Sequence, residues 1–189
     1  IDQIKETGSF SLEGMRGADL KGKTIGIIGT GRIGKEVVKI AKGFGMQIIA
    51  FDSMPDNAYA AAIGFKYAAT LEELLGSSDI ITIHCPLIPA TTHLINENNI
   101  KSIKRGAYLI NTARGGIVST EALATALNDG ILAGAAVDVL EEEGELQEEL
   151  AFLSKGHPKD NELQTLLRDH VLMKMPNVLI TPHMAFDST

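Results

Sequence analysis

The sequence is poor in several residue types, and each shortage excludes a class of protein. It has no tryptophan and a single cysteine, Cys85, so no disulfide can form within the chain and we expect a protein of the reducing cytoplasm. No apolar run approaches the ~18 residues of a membrane span. The net charge is −7 and the basic residues are not clustered, whereas nucleic-acid binding requires clustered cations. We therefore predict a soluble globular protein with no nucleic-acid or membrane partner.

The length of 189 residues fits one domain with appendages. Residues 1–22 read as a helical tail and a glycine-rich linker, and residues 145–175 as a polar-faced helical insertion outside a sheet. Between them, short apolar runs alternate with helical segments, a pattern typical of α/β proteins. The sequence thus predicts one dinucleotide-binding domain over 1–189, a doubly wound, mostly parallel sheet with helices on both faces. Because it begins with Ile1, we expect a piece excised from a longer protein.

The pattern also predicts the individual elements. Strands are expected at 25–28, 47–51, 65–67, 79–84, 107–111, 131–139 and 178–181. Helices are expected after Gly34, at 56–63, 70–76 and 96–103, and at 121–128 with Thr120 as the cap.

A G-x-G-x-x-G motif, Gly29 to Gly34, lies between the first apolar run and a helical pattern. Gly29 permits a tight turn, Gly31 lets the backbone approach a pyrophosphate, and Gly34 lets the helix pack on the strand. The helix N-terminus offers N–H groups to the phosphates. Asp52 ends the next apolar run, 18 residues after Gly34, near the ~20 expected of a ribose-binding carboxylate. We predict NAD rather than NADP, because a 2′-phosphate would bring negative charge against Asp52.

Polar residues follow four predicted strands at their ends: Asp52, Arg114, Asp138 with its trailing acids, and His183. The carboxyl ends of parallel strands meet at one edge, where ligands of such sheets bind. A histidine can give or accept a proton at neutral pH, and an arginine presents a fork of donors that matches a carboxylate. Hydride exchange with a nicotinamide also needs a proton donor for the carbonyl oxygen, and this edge offers such an acid together with an arginine that can bind a carboxylate.

Five ordered motifs resemble the D-isomer-specific 2-hydroxyacid dehydrogenases, and together they cover nearly the whole chain. They are Gly29-Thr30-Gly31-Arg32-Ile33-Gly34, His84-Cys85-Pro86-Leu87, Asn111-Thr112-Ala113-Arg114-Gly115, Val137-Asp138-Val139, and Pro176-Asn177-Val178 through Thr181-Pro182-His183.

The resemblance implies a role for each candidate residue. Arg114 would bind the substrate carboxylate and carbonyl, His183 would be the acid and base, and Glu143 would pair with the imidazole. Asp52 would bind the adenosine ribose, and Arg32 and Ile33 would lie at the pyrophosphate. The residues expected around the nicotinamide half of NAD are Cys85, Pro86, Thr91, Thr112, Ala113 and Asp138.

Two differences from the common pattern refine this expectation. Gly144 and a helical insertion follow Glu143, which, with Met175-Pro176-Asn177-Val178 and Phe186, resembles the D-lactate dehydrogenase branch; D-lactate is the leading expectation. Family members also carry a substrate domain before and after the cofactor domain, and neither segment is present. We therefore expect the isolated chain to bind NAD but to be nearly inactive, and the resemblance alone implies a homodimer.

Several alternatives stay open. Glu141 or Glu142 could replace Glu143 as the partner of the histidine, and His84 is a rival acid that we interpret as a strand-terminal histidine bonded to backbone. The protein could use glycerate, glyoxylate or another 2-hydroxy acid, or it could be an NAD-sensing regulatory protein of the same superfamily. His93, His157 and His170 show no metal-ligand spacing with one another or with Cys85, so no metal site is predicted.

Overall fold

The computed structural model describes residues 17–141 and 170–184. Its strands are β1 Thr24–Ile28, β2 Gln47–Phe51, β3 Lys66–Tyr67, β4 Ile80–Ile83, β5 Ala107–Asn111, β6 Leu132–Val137 and β7 Val178–Ile180. Its helices are α1 Arg32–Gly43, α2 Asn57–Ile63, α3 Leu71–Ser77 and α4 Thr120–Asn128, with 3-10 turns at Ile100–Ser102 and Gly115–Ile117.

The seven strands form one parallel sheet in the order β3-β2-β1-β4-β5-β6-β7. In the interior strand β1, Ile28 pairs with Phe51 of β2 on one side and with Ile83 of β4 on the other. The strand order reverses between β1 and β4, and such a switch point opens a crevice at the carboxyl edge of a sheet. The predicted doubly wound parallel fold is confirmed.

Apolar side chains cover both faces of the sheet because successive residues of a strand point to opposite sides. Ile27 belongs to the cluster under α1 and α2, whereas Ile28 belongs to the larger cluster under α3 and α4. Both side chains are at most 1% exposed. Burial of each such side chain contributes roughly 1.5–3 kcal/mol, so the two helical layers are held mainly by this core.

At the N-termini of two helices, a polar side chain of the preceding residue accepts a hydrogen bond from a backbone N–H of the first turn. Asp56 caps α2 by accepting a hydrogen bond from the Tyr59 N–H at 3.0 Å. Thr70 caps α3 as predicted, because its Oγ1 accepts from the Glu73 N–H at 3.2 Å. The return bond of the capping box is displaced by one residue, since Glu73 accepts from the Ala69 N–H at 2.7 Å and not from that of Thr70.

Two predicted local features are wrong. Ser119, not Thr120, caps α4 by accepting from the Ala122 N–H, and Thr120 is the first residue of the helix. The helix expected at 96–103 is reduced to the turn Ile100–Ser102. Asn96 and Asn99 bind nearby backbone N–H groups through their side chains, and such local bonds compete with a helix.

Most of the predicted insertion, residues 145–169, and the leading residues 1–16 lie outside the described residues. Residues 170–174 are helical, and Leu172 is only 1% exposed within the larger core cluster. This last turn of the predicted insertion therefore packs against the core of the domain. None of the helices in the described ranges has the length and apolar character needed to cross a membrane.

Candidate functional site

Two positions in the loop between β1 and α1 must be glycine, because backbone atoms of other residues lie where a side chain would be. Gly29 has a φ of +89°, and a Cβ there would lie 2.7 Å from the Cys85 nitrogen. A Cβ on Gly34 would lie 2.0 Å from the Gly29 carbonyl oxygen. No side chain could occupy either position without moving backbone, so α1 begins directly against the ends of β1 and β4.

Gly31 differs, because a Cβ there would meet no atom within 4 Å. It caps α1, and no side chain in the described part of the protein hydrogen-bonds to this helix end. Arg32 and Ile33 in the first turn are exposed, and the turn contains no acidic residue. The open space and the uncapped N–H groups fit the pyrophosphate of a dinucleotide.

Asp52 follows β2 at the same edge and binds the glycine-rich loop. Its Oδ2 accepts from the Thr30 N–H at 2.6 Å and from the Thr30 hydroxyl at 2.9 Å, and its Oδ1 accepts from the Met54 N–H at 2.9 Å. Partial burial works to raise the pKa of Asp52, but these hydrogen bonds outweigh it and hold the pKa below its ordinary value. The side chain is therefore a carboxylate at neutral pH.

The loop after β4 carries three of the predicted cofactor residues. Thr91 Oγ1 donates to the Pro86 carbonyl at 2.6 Å and accepts from the Ile88 N–H at 2.9 Å, which holds the loop in a compact turn. Burial, followed by the charge of Asp52, raises the pKa of the Cys85 thiol. Cys85 is therefore a neutral, partly buried side chain at this edge, and Thr91 positions the loop that contains it.

The loop that carries Arg114 is fixed by the amide of Asn111, the last residue of β5. Asn111 is 1% exposed; its Oδ1 accepts from the Ala113 N–H at 3.0 Å and its Nδ2 donates to the Arg114 carbonyl at 2.9 Å. A Cβ on Gly115 would lie 1.9 Å from the Leu140 carbonyl oxygen, so the loop also packs closely on the chain after β6. Thr112 and the Arg114 side chain are left exposed at the edge.

The segment that carries His183 is held by Asp138, which is 4% exposed after β6. Asp138 Oδ1 accepts hydrogen bonds from the Thr181 hydroxyl and, at 3.1 Å, from the Met184 N–H. His183 itself has a φ of +50°, a conformation that costs a non-glycine residue about 1–3 kcal/mol and that clusters at functional sites. These two hydrogen bonds from Asp138 thus stabilise the conformation of the segment that contains His183.

The rival groups have other partners. His84 Nε2 lies 2.9 Å from Thr82 Oγ1, and burial lowers the pKa of His84, so the ring is neutral at neutral pH. The prediction that the backbone binds this side chain is wrong, since its described partner is a hydroxyl. Glu141 pairs with His93 and accepts from the Thr120 N–H at 3.1 Å. Glu142 and Glu143 lie outside the described residues.

Across 17–141 and 170–184, no three histidine, cysteine or acidic side chains gather as a metal site would require. Several residues that build the site were not among the predicted site residues: Thr30, Tyr67, Asn111 and Thr181. Each is a small or aromatic polar side chain near a strand end, and Thr30, Asn111 and Thr181 lie in motifs that the sequence singled out. Tyr67 lies in none of these motifs, and only its contact with Thr30 connects it with the site.

Comparisons with known proteins give one consistent result. Residues 1–185 match the family described as D-isomer specific 2-hydroxyacid dehydrogenase, NAD binding domain. A 2-hydroxyacid dehydrogenase A of Aspergillus oryzae is 41% identical over 191 residues, which cover 98% of this chain and 50% of that protein. A D-lactate dehydrogenase of Escherichia coli is 39% identical, with coverage of 97% and 53%.

Among solved structures, the D-lactate dehydrogenase of Aquifex aeolicus complexed with NAD and lactic acid superimposes with a TM-score of 0.85 at 37% identity. The match covers 99% of this chain and 54% of that one. The present chain spans about half the length of the curated relatives it matches.

The contrast between Gly31 and Gly34 generates a test of the pyrophosphate position. Gly34→Ala should lower the free energy of unfolding by about 1–3 kcal/mol, because its methyl group meets a backbone carbonyl. Gly31→Ala should leave stability unchanged but weaken NAD binding about tenfold or more, the affinity equivalent of an overpacked contact. Urea unfolding and calorimetric titration measure the two effects. Wild-type NAD affinity in Gly31→Ala would show that the pyrophosphate does not approach this residue.

Proposed function

We propose, because the chain belongs to the D-isomer specific 2-hydroxyacid dehydrogenase family as an NAD-binding domain, that the full-length protein reduces a small 2-keto acid to the D-2-hydroxy acid. The leading substrate pair is pyruvate and D-lactate. Named relatives support this choice, since one similar protein of Curvularia clavata and one of Escherichia coli are D-lactate dehydrogenases.

The observation that carries the proposal is a chain of hydrogen bonds across the carboxyl ends of β5, β6 and β7. The Asn111 carbonyl accepts from the Asp138 N–H at 2.9 Å, and Asp138 in turn holds Thr181 and Met184 on either side of His183. Asn111 also fixes the loop of Arg114. One hydrogen-bond network therefore joins the segment of Arg114, the proposed carboxylate-binding cation, to the segment of His183, the proposed acid and base.

We assign the steps of the reaction to these side chains. NAD, when bound, supplies or accepts the hydride. The Arg114 guanidinium binds the substrate carboxylate and orients the carbonyl, because its planar fork matches a carboxylate. The His183 imidazole donates a proton to the keto oxygen during reduction and accepts it during oxidation. Glu143 stabilises the protonated imidazole, a choice supported by the engagement of Glu141 with His93 and Thr120.

We also propose a homodimer formed through this domain. Ile40 on α1 and Phe44, the residue that caps its C-terminus, are four positions apart and 58% and 57% exposed, so they form an apolar outer surface at this end of the helix. Sedimentation velocity of the full-length protein tests it, since a monomer across the micromolar range would contradict the proposal.

The reaction is tested by assaying the full-length protein with a panel of 2-keto acids and by changing His183. His183→Ala should lower kcat by roughly 10²–10⁴-fold, the usual contribution of a positioned acid or base, while NAD binding stays nearly intact. His93→Ala is the matched control and should keep kcat. Absence of turnover with every keto acid would instead favour a regulatory role, and an unchanged kcat in His183→Ala would remove that residue from the mechanism.

Glu143→Gln should affect the pH dependence of the reaction. A carboxylate beside an imidazole stabilises its protonated form, and oxidation requires the neutral form. Loss of the charge should therefore move the low-pH fall-off of the oxidation rate toward more acidic pH. Glu141→Gln and Glu142→Gln are the controls: a shift in one of them with none in Glu143→Gln would identify a different acid, and no shift in any would refute the pairing.

Asp52 should determine the preference for NAD over NADP. Its carboxylate can accept from a ribose 2′-hydroxyl, whereas a 2′-phosphate would bring like charge against it. Asp52→Ala should weaken NAD binding about tenfold or more, since hydrogen bonds to charged groups are worth ~1.5–3 kcal/mol, and leave NADP binding unchanged or tighter. Calorimetric titration with both nucleotides measures the ratio; equal or tighter binding of NADP by the wild-type protein would contradict this assignment.

A further inference from the structure

Tyr67, on the two-residue strand β3, contacts the dinucleotide loop without belonging to the sequence motif. Its hydroxyl oxygen lies 2.8 Å from Thr30 Oγ1, and Thr30 is the residue between Gly29 and Gly31. Thr30 is 5% exposed, so its hydroxyl is a buried polar group that needs partners. The two residues are 37 positions apart in the sequence.

The direction of each hydrogen bond follows from counting protons. Ionised Asp52 can only accept, so the single hydroxyl proton of Thr30 is donated to Asp52 Oδ2 at 2.9 Å. Thr30 Oγ1 must then accept from Tyr67, which donates its own proton. The Tyr67 oxygen in turn accepts from the Asp56 N–H at 3.2 Å. The result is a one-way relay of donors from Asp56 through Tyr67 and Thr30 to Asp52.

The relay limits which carboxylate oxygen of Asp52 can accept a hydrogen bond from a ligand. Oδ2 already accepts two hydrogen bonds, both from Thr30, and Oδ1 accepts one, from Met54, among the described contacts. A carboxylate oxygen has about two lone-pair sites. One acceptor position therefore remains, on Oδ1, and the two bonds from Thr30 prevent the carboxylate from turning to present a different oxygen.

The far end of the relay is itself anchored. Asp56 caps α2 and forms an ion pair with Lys35 of α1, with Oδ2 2.7 Å from the Lys35 Nζ. The N–H that reaches Tyr67 thus comes from a residue held by two helices. Donors in series polarise one another, so a fixed first donor strengthens the last one.

We propose that Thr30 and Tyr67 are positioning residues for nucleotide selectivity, which aim a single carboxylate oxygen of Asp52 at a ribose hydroxyl of NAD. The inference rests on the proposed placement of the ribose at Asp52. Selectivity against NADP then depends on an oriented carboxylate as well as on its charge. Removal of the relay weakens NAD binding and leaves NADP binding nearly unchanged.

The test compares hydroxyl deletions that keep the shape of the side chain, in the full-length protein. Thr30→Val should weaken NAD binding about 3- to 10-fold and Tyr67→Phe about 2- to 5-fold, the range expected of one lost hydrogen bond. Thr30→Ser keeps the hydroxyl and should bind NAD like the wild type. Tyr59→Phe is the matched control, because Tyr59 packs on Phe65 as Tyr67 does but donates to the Lys35 carbonyl outside the relay.

A second readout needs no nucleotide. Carbon-13 NMR titration of the Asp52 carboxyl should show its pKa raised in Thr30→Val and, by less, in Tyr67→Phe, because fewer donors stabilise the charged form; Tyr59→Phe should not change it. If Tyr67→Phe leaves both this titration and the NAD-to-NADP affinity ratio at wild-type values, the relay is refuted. If the titrations shift but Asp52→Ala leaves the affinity ratio unchanged, the relay exists and the ribose placement fails.

Discussion

The binding edge of this domain depends on how closely helix α1 approaches strand β1. A Cβ on Gly34 would lie only 2.0 Å from the Gly29 carbonyl, so the separation is set by two backbones with no side chain between them. This contact brings the uncapped end of α1 to the switch point between β1 and β4, next to Cys85 and within reach of Asp52. A wider separation would move the helix N-terminus away from the groups with which it forms a site.

The other half of the edge is organised by buried polar side chains instead of glycines. Asn111 and Asp138 are 1% and 4% exposed, and each follows or ends a strand while binding the loop above it. Buried polar groups of this kind are costly unless they are satisfied, which makes their geometry specific. The exposed Arg114 and the half-buried His183 therefore sit on loops whose backbones are fixed from the core.

The sequence predicted the parallel sheet, the glycine-rich turn between β1 and α1, and the position of Asp52 at the end of β2, because apolar periodicity and motif spacing are local signals. It did not predict the Thr30–Tyr67 contact, which joins residues 37 positions apart. Thr120 was predicted as the cap of α4 in place of Ser119, because adjacent hydroxyl residues give the same sequence signal. The helix predicted at 96–103 is an asparagine-rich turn, whose side-chain hydrogen bonds to backbone the sequence pattern does not reveal. The roles proposed for Arg114, Glu143 and His183 rest on the family resemblance, because it is the match of motifs that assigns a function to each position.

The corner formed by α2 and β3 has a consequence for stability as well as for recognition. It is small, with a seven-residue helix and a two-residue strand. It joins the rest of the domain through the Lys35–Asp56 pair, hydrogen bonds of Tyr67 to Thr30, Tyr59 to Lys35 and Lys42 to Ile63, a short β-ladder and apolar contacts. Such a unit can open by itself while the central sheet stays folded. A ligand held at Asp52 would bind the closed form more tightly than the open form. Nucleotide binding and local unfolding of this corner would then be linked equilibria, and occupancy would slow solvent exchange of its amides.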